Sequence, residues 1–223
     1  MMQTMLAIEC SQRSASVAIT TGGGPPTVEK VCSDRRSDDD LLPAIARLLS
    51  GLKMQPSDLT SVAVSIGPGG FTGLRISIAA AKMLGVSLGV KLIGVPSALV
   101  AAQSIKSNGP ILVALACKGE TLWATTLQTQ DGMWVCREPG GLVSIDSFVL
   151  NGMQYLVADA YLPEAIRNQA AAQGVEVLEP KFDAASCLLV GQQMLSQDQY
   201  LTPDQLQPLY PREPEAVRLF NQR

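Results

Sequence analysis

Short apolar runs alternate with longer amphipathic stretches along the chain, and this alternation is typical of an α/β protein. Short runs rich in Val, Ile and Leu predict buried strands, whereas apolar residues recurring every three or four positions predict helices. The predicted strands cover residues 5–8, 15–20, 27–33, 61–66, 92–95, 111–116, 122–127, 133–137, 155–158 and 175–178. The predicted helices cover residues 38–52, 72–84, 97–104, 163–173 and 184–196, with a short one at 215–220.

Each half of the chain begins with about three strands and continues with alternating helices and strands, although no sequence repeat is visible. The stretch Ser107-Asn108-Gly109-Pro110 interrupts regular structure between the halves. We therefore expect an N-terminal lobe at residues 1–107 and a C-terminal lobe at residues 108–223. The last helix of the second lobe is placed so that it could pack back on the first.

Two helices of the first half carry more apolar surface than the rest. At roughly 100° per residue, the leucines of the helix at 38–52 fall on one stripe. The helix at 72–84 is apolar nearly all round, so it must be covered on more than one side. Its own sheet can cover one side, and a neighbouring helix or another protein can cover the other. Both alternatives remain open.

A glycine-rich loop links the strand at 61–66 to the second of these helices. It contains Gly67, Gly69, Gly70 and Gly73, with Thr72 as the predicted N-cap. Free amides at a helix N-terminus bind anions, so the loop is a candidate phosphate cradle. A tight glycine-capped connection explains the same residues, and we favour it because no known phosphate-loop spacing is present.

Composition narrows the possible chemistry. The chain has 223 residues, 47% of them hydrophobic, a formal charge of −3 and no histidine. The lack of histidine excludes Ser-His-Asp and Cys-His machinery and histidine-ligated zinc sites. Mild acidity argues against direct nucleic-acid binding. Five dispersed cysteines indicate free thiols in a reducing compartment. Without a signal peptide or a long enough apolar span, we expect a cytoplasmic protein with no membrane association.

The segment GPGGFTGLRISIAAAK at 67–82 resembles the signature of the TsaB (YeaZ) family. Weaker matches follow in the family's order, including LAIECS, SASVAI, SDDDLLPAIARLL, LIGVPSALVAAQ and PLYPREPEA. The resemblance covers nearly the whole chain. It implies a two-lobed actin-like ATPase (ASKHA) fold, α/β in class, with a mixed sheet flanked by helices in each lobe.

The resemblance also implies a role in making N6-threonylcarbamoyladenosine at position 37 of tRNA. Members act there as a non-catalytic partner of a TsaD-type catalytic subunit, with a TsaE-type ATPase in the same complex. They form homodimers when alone and meet tRNA only through the complex. Pairing would use the two apolar helices. The interface candidates are Leu41, Leu42, Ile45, Leu48, Leu49, Arg75, Ile76, Ala79, Ala80 and Met83.

Four places in the sequence depart from the family pattern. Glu9-Cys10 replaces an Asp-Thr pair, Ser37 replaces a histidine, Gly70 replaces a serine, and Leu115 stands where the second lobe usually carries an acid. A carboxylate pair for Mg²⁺ is therefore not intact. We expect no catalytic residue, no metal and no required cofactor, with weak ATP or ADP binding allowed. The alternatives are an ATP-dependent phosphotransferase and a diverged paralogue with another protein partner.

Overall fold

The structure is a computed structural model and describes residues 3–31 and 37–212. The strands are β1 (Thr4–Glu9), β2 (Ser16–Thr21), β3 (Thr27–Lys30), β4 (Ser61–Gly67), β5 (Lys91–Pro96), β6 (Ile111–Lys118), β7 (Thr121–Gln130), β8 (Met133–Cys136), β9 (Gly141–Ser144), β10 (Tyr155–Ala158) and β11 (Glu176–Leu178). The helices are α1 (Ser37–Gly51), α2 (Phe71–Leu88), α3 (Ser97–Ala102), α4 (Glu164–Ala172) and α5 (Ala184–Ser196). The predicted helix at 215–220 lies outside the described residues.

The chain folds into two compact units. Of the described residues, the first unit contains 3–31, 37–106 and 181–208, and the second contains 107–180 and 209–212. The break near residue 107 falls in the Asn-Gly-Pro stretch. Residues 181–208 pack with the first unit, whereas the sequence analysis had placed them in the second lobe. Helix α5 is the reason, because it covers β1 and β2 of the first sheet.

The first unit is built on a mixed sheet with the strand order β3-β2-β1-β4-β5. Strands β1, β2 and β3 are antiparallel neighbours, while β4 and β5 run parallel to β1. The central strands are buried on both faces, which explains why they appear as continuous apolar runs. Leu6, Ile8 and Val64 pack with α1 and α2. On the opposite face, Gly191 of α5 lies against Met5 and Ala63.

The second unit repeats this strand pattern. Its sheet has the order β11-β10-β6-β7-β8, with β9 added alongside β7. Strands β6, β7 and β8 are antiparallel neighbours, and β10 and β11 run parallel to β6. Leu112, Leu122 and Leu156 of the sheet pack with Ile166 and Ala170 of α4. The predicted fold class is confirmed: each unit is a mixed sheet flanked by helices, as in actin-like ATPases.

Helix α2 is longer than predicted, with 18 residues. It is long and apolar enough to cross a membrane by length and composition alone, the one described helix of which this holds. Its Leu74, Ile78 and Ala81 are buried in the first unit, and a core helix passes the same test. The predicted absence of membrane association therefore stays a prediction.

Candidate functional site

The glycine loop lies against the turn that follows β1. A Cβ atom on Gly69 would overlap the carbonyl oxygen of Ser11, and one on Gly73 would overlap that of Cys10. Gly67 has a φ of 109°, which favours glycine. Three glycines of the loop are therefore required by close backbone approach or by backbone conformation, and this supports the interpretation of the loop as a tight connection.

The start of α2 differs from the prediction. Gly70, with φ −65° and ψ 124°, is the N-cap, and no side chain caps the helix. Thr72 lies inside the first turn and is exposed, so the prediction that it caps α2 is wrong. The extended backbone at Gly70 places the N-cap two residues earlier than predicted, and α2 begins at Phe71. The N–H group of Gly70 donates to the carbonyl oxygen of Ser11 at 2.7 Å, so one loop amide already has a partner.

A shallow cavity of about 210 Å³ lies beside this helix start. Its lining includes Gln12, Arg13 and residues 70–73. The amides of a first helical turn have no partner within the helix. A small anion could approach them here, in a cavity that Arg13 also lines.

Glu9 lies at the carboxyl end of β1 and is fully buried. One carboxyl oxygen accepts the N–H of Ser11 at 2.7 Å, and the other accepts the hydroxyl of Ser65 on β4. Burial raises the pKa of Glu9, and the negative charge of Asp183 raises it further, while the hydrogen bonds from Ser11 and Ser65 oppose the rise. A carboxyl group held in this way is not available to a ligand.

The matching position of the second unit, Leu115, is also fully buried. Just after it, the β6–β7 hairpin is irregular, with Ala116 at a φ of 54°. Arg212 clamps this hairpin: its guanidinium donates to the carbonyl oxygens of Ala116 and Thr121 at 2.8 and 2.7 Å. Leu115 itself supplies no acid, and the acid beside this strand end, Asp159 after β10, interacts with Cys117. The ends of β1 and β6 therefore offer one buried carboxyl group and one aliphatic side chain, not a pair of free carboxylates.

The interface candidates differ in burial. Five of them are buried within the first unit, so they are core residues: Leu41, Ile45, Leu48, Leu49 and Ala80. Ile76 is half-buried, while the remaining candidates are exposed: Leu42, Arg75, Ala79 and Met83. The stripe of α1 is thus explained by its own core, whereas α2 keeps an open face. Phe71 and Val86, which the sequence analysis did not select, also lie on that face.

Sequence reasoning missed the contacts of Glu9 and Arg212. A lone acid that ends a buried apolar strand was a usable signal, because such a group needs hydrogen-bond donors nearby. Ser11, two residues after Glu9 in the chain, and Ser65, near the end of the neighbouring strand β4, supply them. For Arg212 the only signal was its place in the PLYPREPEA motif.

These features define an α/β protein of the actin-like ATPase fold class. Its acid at the end of β1, Glu9, is buried, and the matching position of β6 holds Leu115 instead of an acid. The family model described as TsaD, tRNA N6-adenosine threonylcarbamoyltransferase, matches residues 14–129. The chain is 31% identical over 150 residues to the tRNA threonylcarbamoyladenosine biosynthesis protein TsaB of Buchnera aphidicola, which covers 66% of this chain and 71% of that protein. It is 30% identical to the Escherichia coli TsaB over 134 residues, 58% of each protein.

Among solved structures, YeaZ from Pseudomonas aeruginosa matches with a TM-score of 0.76 and 18% identity, covering 93% of this chain and 99% of that one. This likeness supports the fold. The chain belongs to the TsaB (YeaZ) family, as its glycine motif predicted. The match to the Escherichia coli protein spans less than two thirds of that protein's length.

Proposed function

We propose that the chain is a non-catalytic subunit of the machinery that makes N6-threonylcarbamoyladenosine in tRNA. It would act by docking to a TsaD-type catalytic subunit. Membership of the TsaB family, whose curated members are named as biosynthesis proteins of this nucleoside, supports the proposal. The observation that carries the docking role is the exposed apolar face of α2.

That face is defined by Phe71, Arg75, Ala79, Met83 and Val86, which lie on one side of the helix. The exposed fractions of Phe71, Met83 and Val86 are 46%, 47% and 73%. Arg75 lies over the Phe71 ring, with 3.8 Å from its guanidinium carbon to the ring centroid. Contiguous apolar surface with an aromatic–arginine pair is typical of protein interfaces. The opposite side of α2 already packs on its own sheet, so this face suits a partner.

The available side chains also support a role without catalysis. The sequence has no histidine. Among the residues that the structure describes, no three of His, Cys, Asp and Glu cluster in a way that could hold a metal ion. Glu9 is committed to Ser11 and Ser65, and burial raises the pKa of the Cys10 thiol to about 12, so that thiol is a poor nucleophile.

The remaining parts of the proposal rest on the family. They are a TsaE-type ATPase in the same complex, a homodimer through the same α2 face when the partner is absent, contact with tRNA only through the complex, and a cytoplasmic location. Weak binding of ATP or ADP would use the cavity at the start of α2, where Arg13 and the first-turn amides lie. No required cofactor is proposed.

Binding to the TsaD-type protein from the same organism tests the docking role. The purified chain should form a complex by size exclusion and calorimetry. Ala79→Asp and Met83→Asp should weaken it at least about tenfold, because a carboxylate desolvated without a partner is costly. Ala165→Asp is the matched control, since Ala165 is an exposed alanine on α4 of the second unit.

Reconstituted tRNA modification, with and without the chain, then tests the function itself. The proposal expects the modification rate to fall when the chain is omitted or carries Met83→Asp. Absence of a complex under every nucleotide condition would contradict docking. Equal losses for Ala79→Asp and Ala165→Asp would show that α2 is not the docking surface.

A further inference from the structure

The buried carboxyl group of Glu9 is linked to the start of α2 through backbone groups. Glu9 accepts the N–H of Ser11 at 2.7 Å, and the carbonyl oxygen of the same Ser11 accepts the N–H of Gly70 at 2.7 Å. Gly70 is the N-cap of α2. Two hydrogen bonds through one residue therefore join the end of β1 to the first turn of the helix.

Close packing strengthens this link. Gly69 lies against Ser11, and Gly73 in the first turn of α2 lies against Cys10, with no room for a Cβ at either glycine. The position of the Cys10-Ser11 backbone therefore sets where α2 can begin. Glu9 is the side chain that fixes this backbone from the core side, and Ser65 anchors its second oxygen to β4.

We propose that Glu9 is a positioning residue for the α2 docking face, holding the Cys10-Ser11 backbone so that Phe71 and Arg75 are presented in one orientation. This inference rests on the proposed docking function. The glutamate side chain reaches both Ser11 and Ser65 from the end of β1.

The groups around Glu9 come from three elements. Ser65 lies on β4, Cys10 follows β1, and Asp183 and Cys187 belong to the start of α5. Asp183 caps α5 by accepting the N–H of Ser186 at 2.7 Å. Among the described groups that act on Glu9, none is a cation, so its pKa depends on burial, on the hydrogen bonds from Ser11 and Ser65, and on the negative charge of Asp183.

Two variants separate positioning from stability. Glu9→Ala removes the acceptor of the Ser11 N–H, whereas Ser65→Ala removes a buried hydroxyl from the same network but leaves the Ser11 link in place. We expect Glu9→Ala to speed hydrogen exchange at the Gly70 amide, and to weaken binding of the TsaD-type partner, each by about tenfold. Ser65→Ala should change both by less than Glu9→Ala does, because the hydrogen bond between Glu9 and Ser11 remains. Equal changes in the two variants, or none in Glu9→Ala, would overturn the inference.

A conservative variant covers the case in which Glu9→Ala does not fold. Glu9→Gln keeps an acceptor for the Ser11 N–H and should restore Gly70 protection and partner affinity. In the parent chain the protection factor of Gly70 should change with pH as Glu9 titrates, whereas in Glu9→Gln it should not; identical pH profiles would overturn the inference. If the unmodified chain binds no partner, the docking proposal fails, but Gly70 exchange in the free chain still decides the role of Glu9.

Discussion

At the scale of single residues, the contact between Gly73 and Cys10 makes the strongest steric demand. A Cβ on Gly73 would overlap the Cys10 carbonyl oxygen, and backbone cannot move aside as a flexible side chain can. We expect Gly73→Ala to lower the free energy of unfolding by about 1–3 kcal/mol in urea titrations. Gly51→Ala is the control, because open space surrounds that position in α1. It should be neutral or stabilising by up to about 1 kcal/mol. Equal destabilisation would contradict the structure.

Glu9 makes stability depend on pH. Its pKa is raised in the folded protein above the ordinary value of 4.5, so the folded state holds a proton that the unfolded chain releases. The free energy of unfolding should therefore fall as pH rises above about 4.5, with a slope of at most about 1.4 kcal/mol per pH unit, until Glu9 ionises in the folded state. In Glu9→Gln this component should vanish. Urea titrations of both proteins at several pH values measure it, and parallel curves would refute the prediction.

At the scale of secondary-structure elements, the leucine stripe of α1 was assigned to a partner interface, although most of it packs in the core of the first unit. Leu48 is 4% exposed and packs in the first core, whereas Leu42 on the same helix is 49% exposed. Leu48→Ala should lower the free energy of unfolding by about 2–5 kcal/mol. Leu42→Ala should change it by only about 0.5 kcal/mol. Thermal and urea unfolding of the two variants measure this difference. A similar loss of unfolding free energy in both would contradict the assignment of Leu48 to the core and Leu42 to the surface.

Most elements could be predicted from the sequence because their apolar periodicity is strong. The helix at 184–196 and the strand at 155–158 were predicted with the bounds that the structure shows. Helix α2 was predicted too short at both ends: Gly70 rather than Thr72 caps it, and Gly89, in the left-handed conformation at a φ of 68°, ends it. Cap identity depends on which backbone groups meet in three dimensions, and the Gly70–Ser11 bond spans 59 positions of the chain.

The candidate site was less predictable than the fold. The glycines of the loop were selected correctly, but their partners, Cys10 and Ser11, come from a different strand end. Likewise, the sequence could not separate Leu42 from Leu41, neighbours on one stripe of which only Leu41 is buried. An apolar stripe on a helix indicates that this face is covered, but it does not indicate which element or partner covers it.

At the scale of the whole molecule, the order of elements along the chain differs from their grouping into compact units. Helix α5 follows β11 of the second unit in sequence but packs on the first sheet. Its N-terminus is fixed there, because the N–H of Ala184 donates to the hydroxyl of Ser16 at 2.9 Å. Gly191 then lies against Met5 and Ala63, where a Cβ would collide with Ala63. Helix α5 therefore belongs to the cooperative unit formed by β1 and β4.

This assignment predicts how hydrogen exchange responds to core mutations. Leu48→Ala weakens the first core, so it should lower protection of the α5 amides by at least about tenfold, together with those of β1, and leave α4 unchanged. Ile166→Ala, a matched change at a residue of α4 that is 1% exposed, should do the reverse. Exchange of α5 that followed α4 in the Ile166→Ala protein would contradict the assignment. Since α5 lies far from β1 in sequence but near α4, only its packing on the first sheet can give the expected pattern.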